Sequence, residues 1–275
     1  MSSLAVLVEC DANAWGAWAE GSGVLPSNAL SSLLRSVVTF SNSHLSLSAA
    51  NRLLVYGYAQ GLSKKLLYDS SRSDSPDSSS SILSSLRDAL RESMQHSSLG
   101  SCPPLAASLT LALCQLRKSA TDPVSNKPRS GRVVVVSLSP EFGRQHSLLM
   151  NLFFSAHNHG IPVYIVSLGG PSALLQQAAD ITSGVFVSVP SADRILPALL
   201  TQCLVVGGKK EEETQSSVDY RAACFCHQNL VPMGYVCSVC LSVLCSFAPI
   251  CPACNSVFKI SAMPRRTRKR KTDAP

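Results

Sequence analysis

Aromatic residues make up only 6% of this 275-residue chain, and charged residues 15%. The charge that is present is unevenly spread. Net charge is +7, but Arg265, Arg266, Arg268, Lys269, Arg270 and Lys271, less Asp273, account for +5, leaving +2 for everything else. A broad basic surface for nucleic acid is therefore excluded for the body of the chain. No apolar run reaches the ~20 residues needed to cross a bilayer; Ile195 to Val206 is broken by Pro197, Thr201 and Gln202. Leu4 to Val8 is too short for an export signal and runs at once into Glu9 and Asp11, so export is not expected. No Gly-x-Gly-x-x-Gly or Gly-x-x-x-x-Gly-Lys-Ser/Thr pattern occurs, so nothing cradles a nucleotide phosphate. Gly169-Gly170 reads as a turn. His44, His96, His146, His157 and His159 lie outside any nucleophile or metalloprotease motif and read as surface or helix-end histidines. No enzyme is expected.

What the chain does have is cysteine, seven of its eleven between Cys224 and Cys254. Two Cys-x-x-Cys pairs, Cys237/Cys240 and Cys251/Cys254, stand ten residues apart. Each pair places two thiolates on one side of a tight knuckle. Two facing knuckles supply four sulfurs in a tetrahedron, which suits Zn²⁺ and leaves no coordination position open, so the ion is structural. The remaining candidates are Cys224, Cys226, His227 and Cys245, which could form a second, interleaved site as in a RING-like cross-brace. Cys224-Phe-Cys226-His227 is crowded for a knuckle, and Ser246 to Pro249 offer Cys245 no thiol partner. One zinc is the expectation; a second is the open alternative. Met233 to Tyr235 and Val257-Phe258 read as small strands packing on the site, whose folding depends on the metal because so short a segment has little core. A reducing compartment, nucleus or cytosol, fits Cys10, Cys102, Cys114 and Cys203, which read as core filler in apolar stretches.

Ahead of that module the pattern alternates. Leu4 to Val8 is a continuous apolar run, the mark of a buried strand, and Pro26 opens a helix with Leu30, Leu33, Leu34, Val37 and Val38 on one face. Leu53 to Tyr58 and Lys65 to Tyr68 read as a hairpin. Residues 69–81, rich in serine, read as a mobile surface loop carrying Ser75-Pro76. Helical spacing follows over Ile82 to Met94 and again after Pro103-Pro104. Strands at Val133 to Val136, Ile161 to Val166 and Gly184 to Val189 then alternate with helices at Gly143 to His157, Ser172 to Ala179 and Ser191 to Cys203. Right-handed crossovers turn this order into a doubly wound, Rossmann-like α/β sheet with helices on both faces. The expected organisation is an α/β domain over 1–206, a linker over 207–218, a C4-type, RING-like zinc finger over 219–260 and a basic disordered tail over 261–275.

In such a sheet a ligand belongs at the carboxyl ends of the strands, where Asp11-Ala-Asn13-Ala-Trp15 follows the first. An acid there resembles the von Willebrand A domain, whose metal-ion-dependent adhesion site reads Asp-x-Ser-x-Ser. Only Asp11 matches. Asn13 could offer a carbonyl oxygen, Trp15 cannot ligate Mg²⁺, and the later loops offer only Ser101 and an aspartate-free Ser137 to Pro140. No Mg²⁺ is expected.

Asp11 to Asn13, Asn42 to His44, Leu174 to Thr182, Asp219 to His227, Gly234 to Leu241 and Cys251 to Cys254 together resemble one family closely. It is the small von Willebrand A-like, zinc-finger-bearing subunit of the TFIIH core complex. The resemblance implies a nuclear, non-enzymatic scaffold whose four-cysteine finger falls on Cys237, Cys240, Cys251 and Cys254. It further implies a paired subunit that also joins a von Willebrand A-like domain to zinc fingers. The pair would support the complex's helicases in RNA polymerase II transcription initiation and nucleotide excision repair. Two rivals remain from the residues alone: a RING-type ubiquitin ligase adaptor, and a DNA-binding zinc module. Arg265 to Lys271 reads as a nuclear-localisation run, with nucleic-acid contact secondary.

Overall fold

The computed structural model describes residues 2–21, 25–72, 77–96, 104–120, 128–139, 142, 145–204, 218, 220–227 and 229–258. Ser75-Pro76, Ser101, Cys102, the linker segment 207–217 and the tail over 261–275 lie outside these. Two compact units are present, Met1–Tyr220 and Arg221–Pro275.

The first unit is built on a six-stranded sheet. Its strands are β1 (Ser2–Glu9), β2 (Arg52–Tyr58), β3 (Leu66–Asp69), β4 (Ser130–Ser137), β5 (Val163–Ser167) and β6 (Phe186–Ser188), in the order β3-β2-β1-β4-β5-β6. All neighbours are parallel except β2 and β3, which form the expected antiparallel hairpin. The helices are α1 (Ala12–Gly21), α2 (Pro26–Ser46), α3 (Ser78–His96), α4 (Leu105–Lys118), α5 (His146–Asn158) and α6 (Ala173–Ile181). A last helix opens as a 3-10 turn at Ala192–Arg194, continues as α7 (Ile195–Ala198) and ends in a π turn at Leu199–Cys203.

Successive strand residues face opposite sides of a sheet. Leu4, Val6, Val8, Val134 and Val136 therefore join one core, with Leu33, Val37 and Phe40 of α2, Trp15 and Trp18 of α1, and Ile82 and Leu86 of α3. Ala5, Leu7, Val133 and Val135 join the other, with Leu109 and Leu113 of α4, Phe153 of α5 and Leu175 of α6. Both faces are covered, which is why these strands read as unbroken apolar runs.

Several expectations are corrected. The segment after β1, to which the sequence pattern assigns no element, runs straight into α1; its Ala, Gly and Trp residues lack a clear helical stripe, and Trp15 and Trp18 supply the burial. The loop expected over 69–81 is shorter, since Ser78 to Ser81 already belong to α3. Asp77 caps that helix by accepting the amides of Ser79 and Ser80 at 3.0 and 3.4 Å, so the serine run begins a helix instead of avoiding one. Cys10 and Cys203 are buried as expected, but Cys114 is exposed on α4. His44 is not on the surface: it is fully buried in the last turn of α2.

Candidate metal centre and strand-end cleft

In the second unit the backbone makes short hairpins around sulfur. β7 (Ala222–Ala223) pairs with β8 (Leu230–Val231), β9 (Tyr235–Val236) pairs with β10 (Val243–Leu244), and Ile250 bridges Val257. Of the expected small strands only Tyr235 lies in one: Met233 and Gly234 precede it outside any strand, Val257 makes a single bridge, and Met233, Tyr235 and Val257 keep their side chains exposed instead of packing on the site. Between these arms sit the two Cys-x-x-Cys knuckles, built alike. Leu241 and Asn255, each directly after the second cysteine, take positive φ of 61° and 58°. The amide of Leu241 returns to the carbonyl of Cys237 at 2.9 Å, and that of Asn255 to Cys251 at 2.8 Å. The amide of Cys240 also points to the Cys237 sulfur at 3.5 Å. Asparagine tolerates this left-handed geometry; leucine there is strained, a cost the fold accepts to turn the thiol inward.

The sulfurs then converge. Sγ of Cys237 lies 3.7 Å from Sγ of Cys254, and Sγ of Cys240 lies 3.7 Å from Sγ of Cys251. A tetrahedron with metal–sulfur bonds of ~2.3 Å has edges of roughly 3.8 Å, so the donor set fits Zn²⁺. The sequence reading passed over Ser242 and Ser256, whose hydroxyls lie 3.3 Å from the Cys240 sulfur and 2.9 Å from the Cys254 sulfur. The signal was in the text, because both knuckles read Cys-x-x-Cys-x-Ser. The Ser242 hydroxyl and amide hold the Cys240 thiol down to about 6, and those of Ser256 lower Cys254. Burial pushes Cys251 up to about 11, a proton that an incoming ion displaces.

Cys224, Cys226, His227 and Cys245 are also brought together. Their donor atoms, like those of the first set, all lie within 4.8 Å of one another. Cys245, which lacks a partner in its own stretch, finds Cys226 at 3.2 Å. Along the chain the two sets alternate, as a cross-brace requires. Both sets can hold a metal ion, and among the described residues they are the groups of His, Cys, Asp and Glu that can.

At the carboxyl ends of the strands lies a cleft of about 440 Å³. Ala17 and Trp18 of α1, Leu138 and Ser139 after β4, Gly169 after β5 and Pro190 line it, a set with no charged side chain. Gly169 is required there, because a Cβ would stand 1.6 Å from the Leu138 carbonyl oxygen. Asp11 is buried at the edge of α1, where its carboxylate accepts the amide of Asn13 at 2.9 Å. Trp15 stands where a hydroxyl would be needed for Mg²⁺ and donates its indole N–H to the Glu9 carbonyl at 2.6 Å. No oxygen-rich Mg²⁺ site forms among the described residues.

The sequence reading also missed Glu9. Its side chain is fully buried and accepts the amides of Leu138 and Ser139 at 2.8 and 3.0 Å, together with the Ser139 hydroxyl. It latches the end of β1 to the turn after β4. Burial raises its pKa, and the Ser139 and Leu138 hydrogen bonds only partly oppose this. The latch thus depends on acceptor oxygens more than on charge. Glu9→Gln, which keeps an acceptor, is expected to change stability by less than about 1 kcal/mol, whereas Glu9→Ala orphans the buried Leu138 amide and the half-buried Ser139 amide and costs about 2 kcal/mol. Equal losses in urea unfolding of the two variants would disprove this.

Fold and site together define a class: a von Willebrand A-like α/β domain followed by a sulfur-rich metal-binding module. A family model described as transcription factor Tfb4 matches residues 1–255, and the chain belongs to that family. It is 29% identical to the general transcription and DNA repair factor IIH subunit TFB4 of Kluyveromyces lactis, over 98% of this chain and 88% of that protein. It is 36% identical to general transcription factor IIH subunit 3 of Dictyostelium discoideum, where the match spans 56% of this chain and only 42% of the relative. The crystal structure of the TFIIH p34 N-terminal domain superposes with a TM-score of 0.60 at 23% identity, covering 72% of this chain and 96% of that one; this likeness bears on the fold alone.

Proposed function

We propose that this chain is a non-enzymatic structural subunit of the core of general transcription and DNA repair factor IIH, acting through protein–protein contacts in transcription initiation and nucleotide excision repair. The observation that carries the reading is the family match over both units, together with a four-thiol set whose sulfurs converge at the spacing of a closed tetrahedral site. A closed set shapes a surface and has no vacancy to activate water. The strand-end cleft adds no catalytic constellation: no ionisable side chain lines it, and the neighbouring carboxylates, Glu9 and Asp11, accept backbone amides.

Within that reading Cys237, Cys240, Cys251 and Cys254 hold a structural zinc. The module they support exposes Met233, Val239, Leu241 and Val257, each more than two-thirds accessible. Large apolar side chains left exposed on so small a unit suit a protein partner. The partner is the paired subunit that itself joins a von Willebrand A-like domain to zinc fingers, the helicase subunits being supported indirectly. The protein acts in the nucleus, with Arg265 to Lys271 serving as the receptor-read signal and touching nucleic acid at most weakly.

Mild affinity purification of the tagged full-length chain from nuclear extract tests this. The factor's helicases and the paired zinc-finger subunit are expected to co-purify, and Asp11→Ala should leave that recovery unchanged because no metal depends on Asp11. Recovery of the chain alone, or with ubiquitin carriers, would overturn the proposal.

A further inference from the structure

The second unit contains a third knuckle, disguised in the sequence because its second donor is histidine and an extra cysteine stands between. In all three knuckles the amide of the first cysteine donates to the carbonyl five residues on: Cys224 to Asn229 at 2.9 Å, Cys237 to Ser242 at 3.0 Å and Cys251 to Ser256 at 2.9 Å. In all three the second donor stands three residues after the first, as His227, Cys240 and Cys254. Each knuckle is closed by a strand pair at the same offsets: Ala223 with Leu230, Val236 with Val243, Ile250 with Val257. Cys224-Phe-Cys226-His227 is therefore a Cys-x-x-His knuckle, the crowding being only the added Cys226.

The tip of this knuckle is fastened to the next hairpin. The amide of Phe225 donates to the carbonyl of Val243 at 2.7 Å, which carries the knuckle onto β10, and Cys245 follows that strand directly. Nδ1 of His227 lies 3.3 Å from the Cys245 sulfur and 3.9 Å from the Cys224 sulfur, while the Cys226 and Cys245 sulfurs are 3.2 Å apart. Tetrahedral edges around zinc are roughly 3.8 Å between sulfurs and 3.6 Å between sulfur and imidazole nitrogen. Three thiolates and one imidazole select a borderline-soft divalent ion and reject Mg²⁺ or Ca²⁺.

We propose that Cys224, Cys226, His227 and Cys245 form a second closed zinc site, so that each chain carries two ions, and that this ion exchanges first. The order follows from exposure. Cys237 and Cys251 of the first set are buried, whereas in the second set only Cys224 is; Cys226 and His227 face solvent. A chelator reaches an exposed ligand, opens the shell and withdraws the ion, while a shell backed by buried sulfurs must first be uncovered. The second ion fastens the hairpin of Ala222–Ala223 and Leu230–Val231 to β10. This inference is independent of the proposed place in factor IIH.

The test is zinc stoichiometry and release on the purified full chain, with 4-(2-pyridylazo)resorcinol as the competing chelator. Wild type is expected to contain two zinc ions and to release them in a fast and a slow phase of one equivalent each. Cys245→Ser and His227→Ala should contain one ion and keep only the slow phase. If either variant loses both ions, His227→Cys, which preserves four donors, must still carry two for the proposal to stand. One ion in wild type, unchanged in Cys245→Ser, overturns the second site; two ions leaving in a single phase overturn the order. A wild type without zinc would overturn the first site as well.

Discussion

Replacing Cys254 with serine is expected to remove the ion of the first site and unfold residues 221–258, while the α/β domain stays folded. The module has almost nothing else to hold it. Its buried residues among those described are Cys224, Cys237, Leu244 and Cys251, so three of the four are cysteines of the two converging sets and only Leu244 is a hydrophobic core residue in its own right. Burying one leucine contributes about 2 kcal/mol, and β7–β8, β9–β10 and the Ile250–Val257 bridge are ladders of one or two pairs. Ordering the backbone opposes this with about 1 kcal/mol or more per residue. In so small a unit the binding free energy of a structural zinc is folding free energy, so losing the ion unfolds the module. Serine at position 254 has no thiolate to give. Zinc content should fall, and limited proteolysis should cut within 221–258. The emission of Trp15 and Trp18, both in α1, should report an unchanged unfolding transition for the other unit, and recovery of partners should drop. Retention of the full zinc content in Cys254→Ser would show the ligand assignment wrong.

The sequence made some of this legible and hid the rest for physical reasons. Strands β1, β4 and β5 announce themselves because burial on both faces demands consecutive apolar side chains through the middle of each, as in Leu4 to Val8 and Val133 to Val136. The two Cys-x-x-Cys knuckles are legible because zinc chemistry allows so little variation in spacing. Helix α1 was not, since its burial rests on two tryptophans among small residues and not on a repeating stripe. The third knuckle was hidden by reading cysteines in pairs; its likeness to the others lies in backbone hydrogen bonds, which no residue name records. Glu9 looked like the polar end of a strand, because the donors that satisfy it, at Leu138 and Ser139, lie some 130 residues away. The resemblance carried the functional reading; the knuckle spacing alone points to a structural zinc site and is shared by the rival readings.

His44 is the sharper example of pairing at a distance, and it sets the second large effect: the α/β domain should lose stability on acidification through this one side chain. Arg132, near the start of β4, is 3% exposed and donates one guanidinium nitrogen to the Leu204 carbonyl at 2.7 Å. Another of its nitrogens stands 3.2 Å from His44 Nδ1. A guanidinium can only donate, so Nδ1 must accept and the imidazole proton sits on Nε2. Protonating His44 would turn that acceptor into a donor and place a second positive charge beside Arg132. Burial, then Arg132, lowers the His44 pKa from 6.5 to about 4. The native state therefore binds fewer protons than the unfolded chain between those values. The contribution is fully present above pH 6.5 and is lost as pH falls toward 4. The whole shift corresponds to about 3 kcal/mol; solvent reaching the half-exposed Ser2 and Asn51 beside it screens part of this, leaving an expected loss of about 2 kcal/mol. His44→Asn keeps an acceptor near the Nδ1 position and does not titrate. Urea unfolding of both full-length chains, followed by tryptophan emission so that the zinc module is silent, isolates the effect, since Glu9 titrates equally in the two. Wild type should lose about 2 kcal/mol relative to His44→Asn between pH 7 and pH 4. Parallel stability curves would mean that Arg132 and His44 are not paired as described.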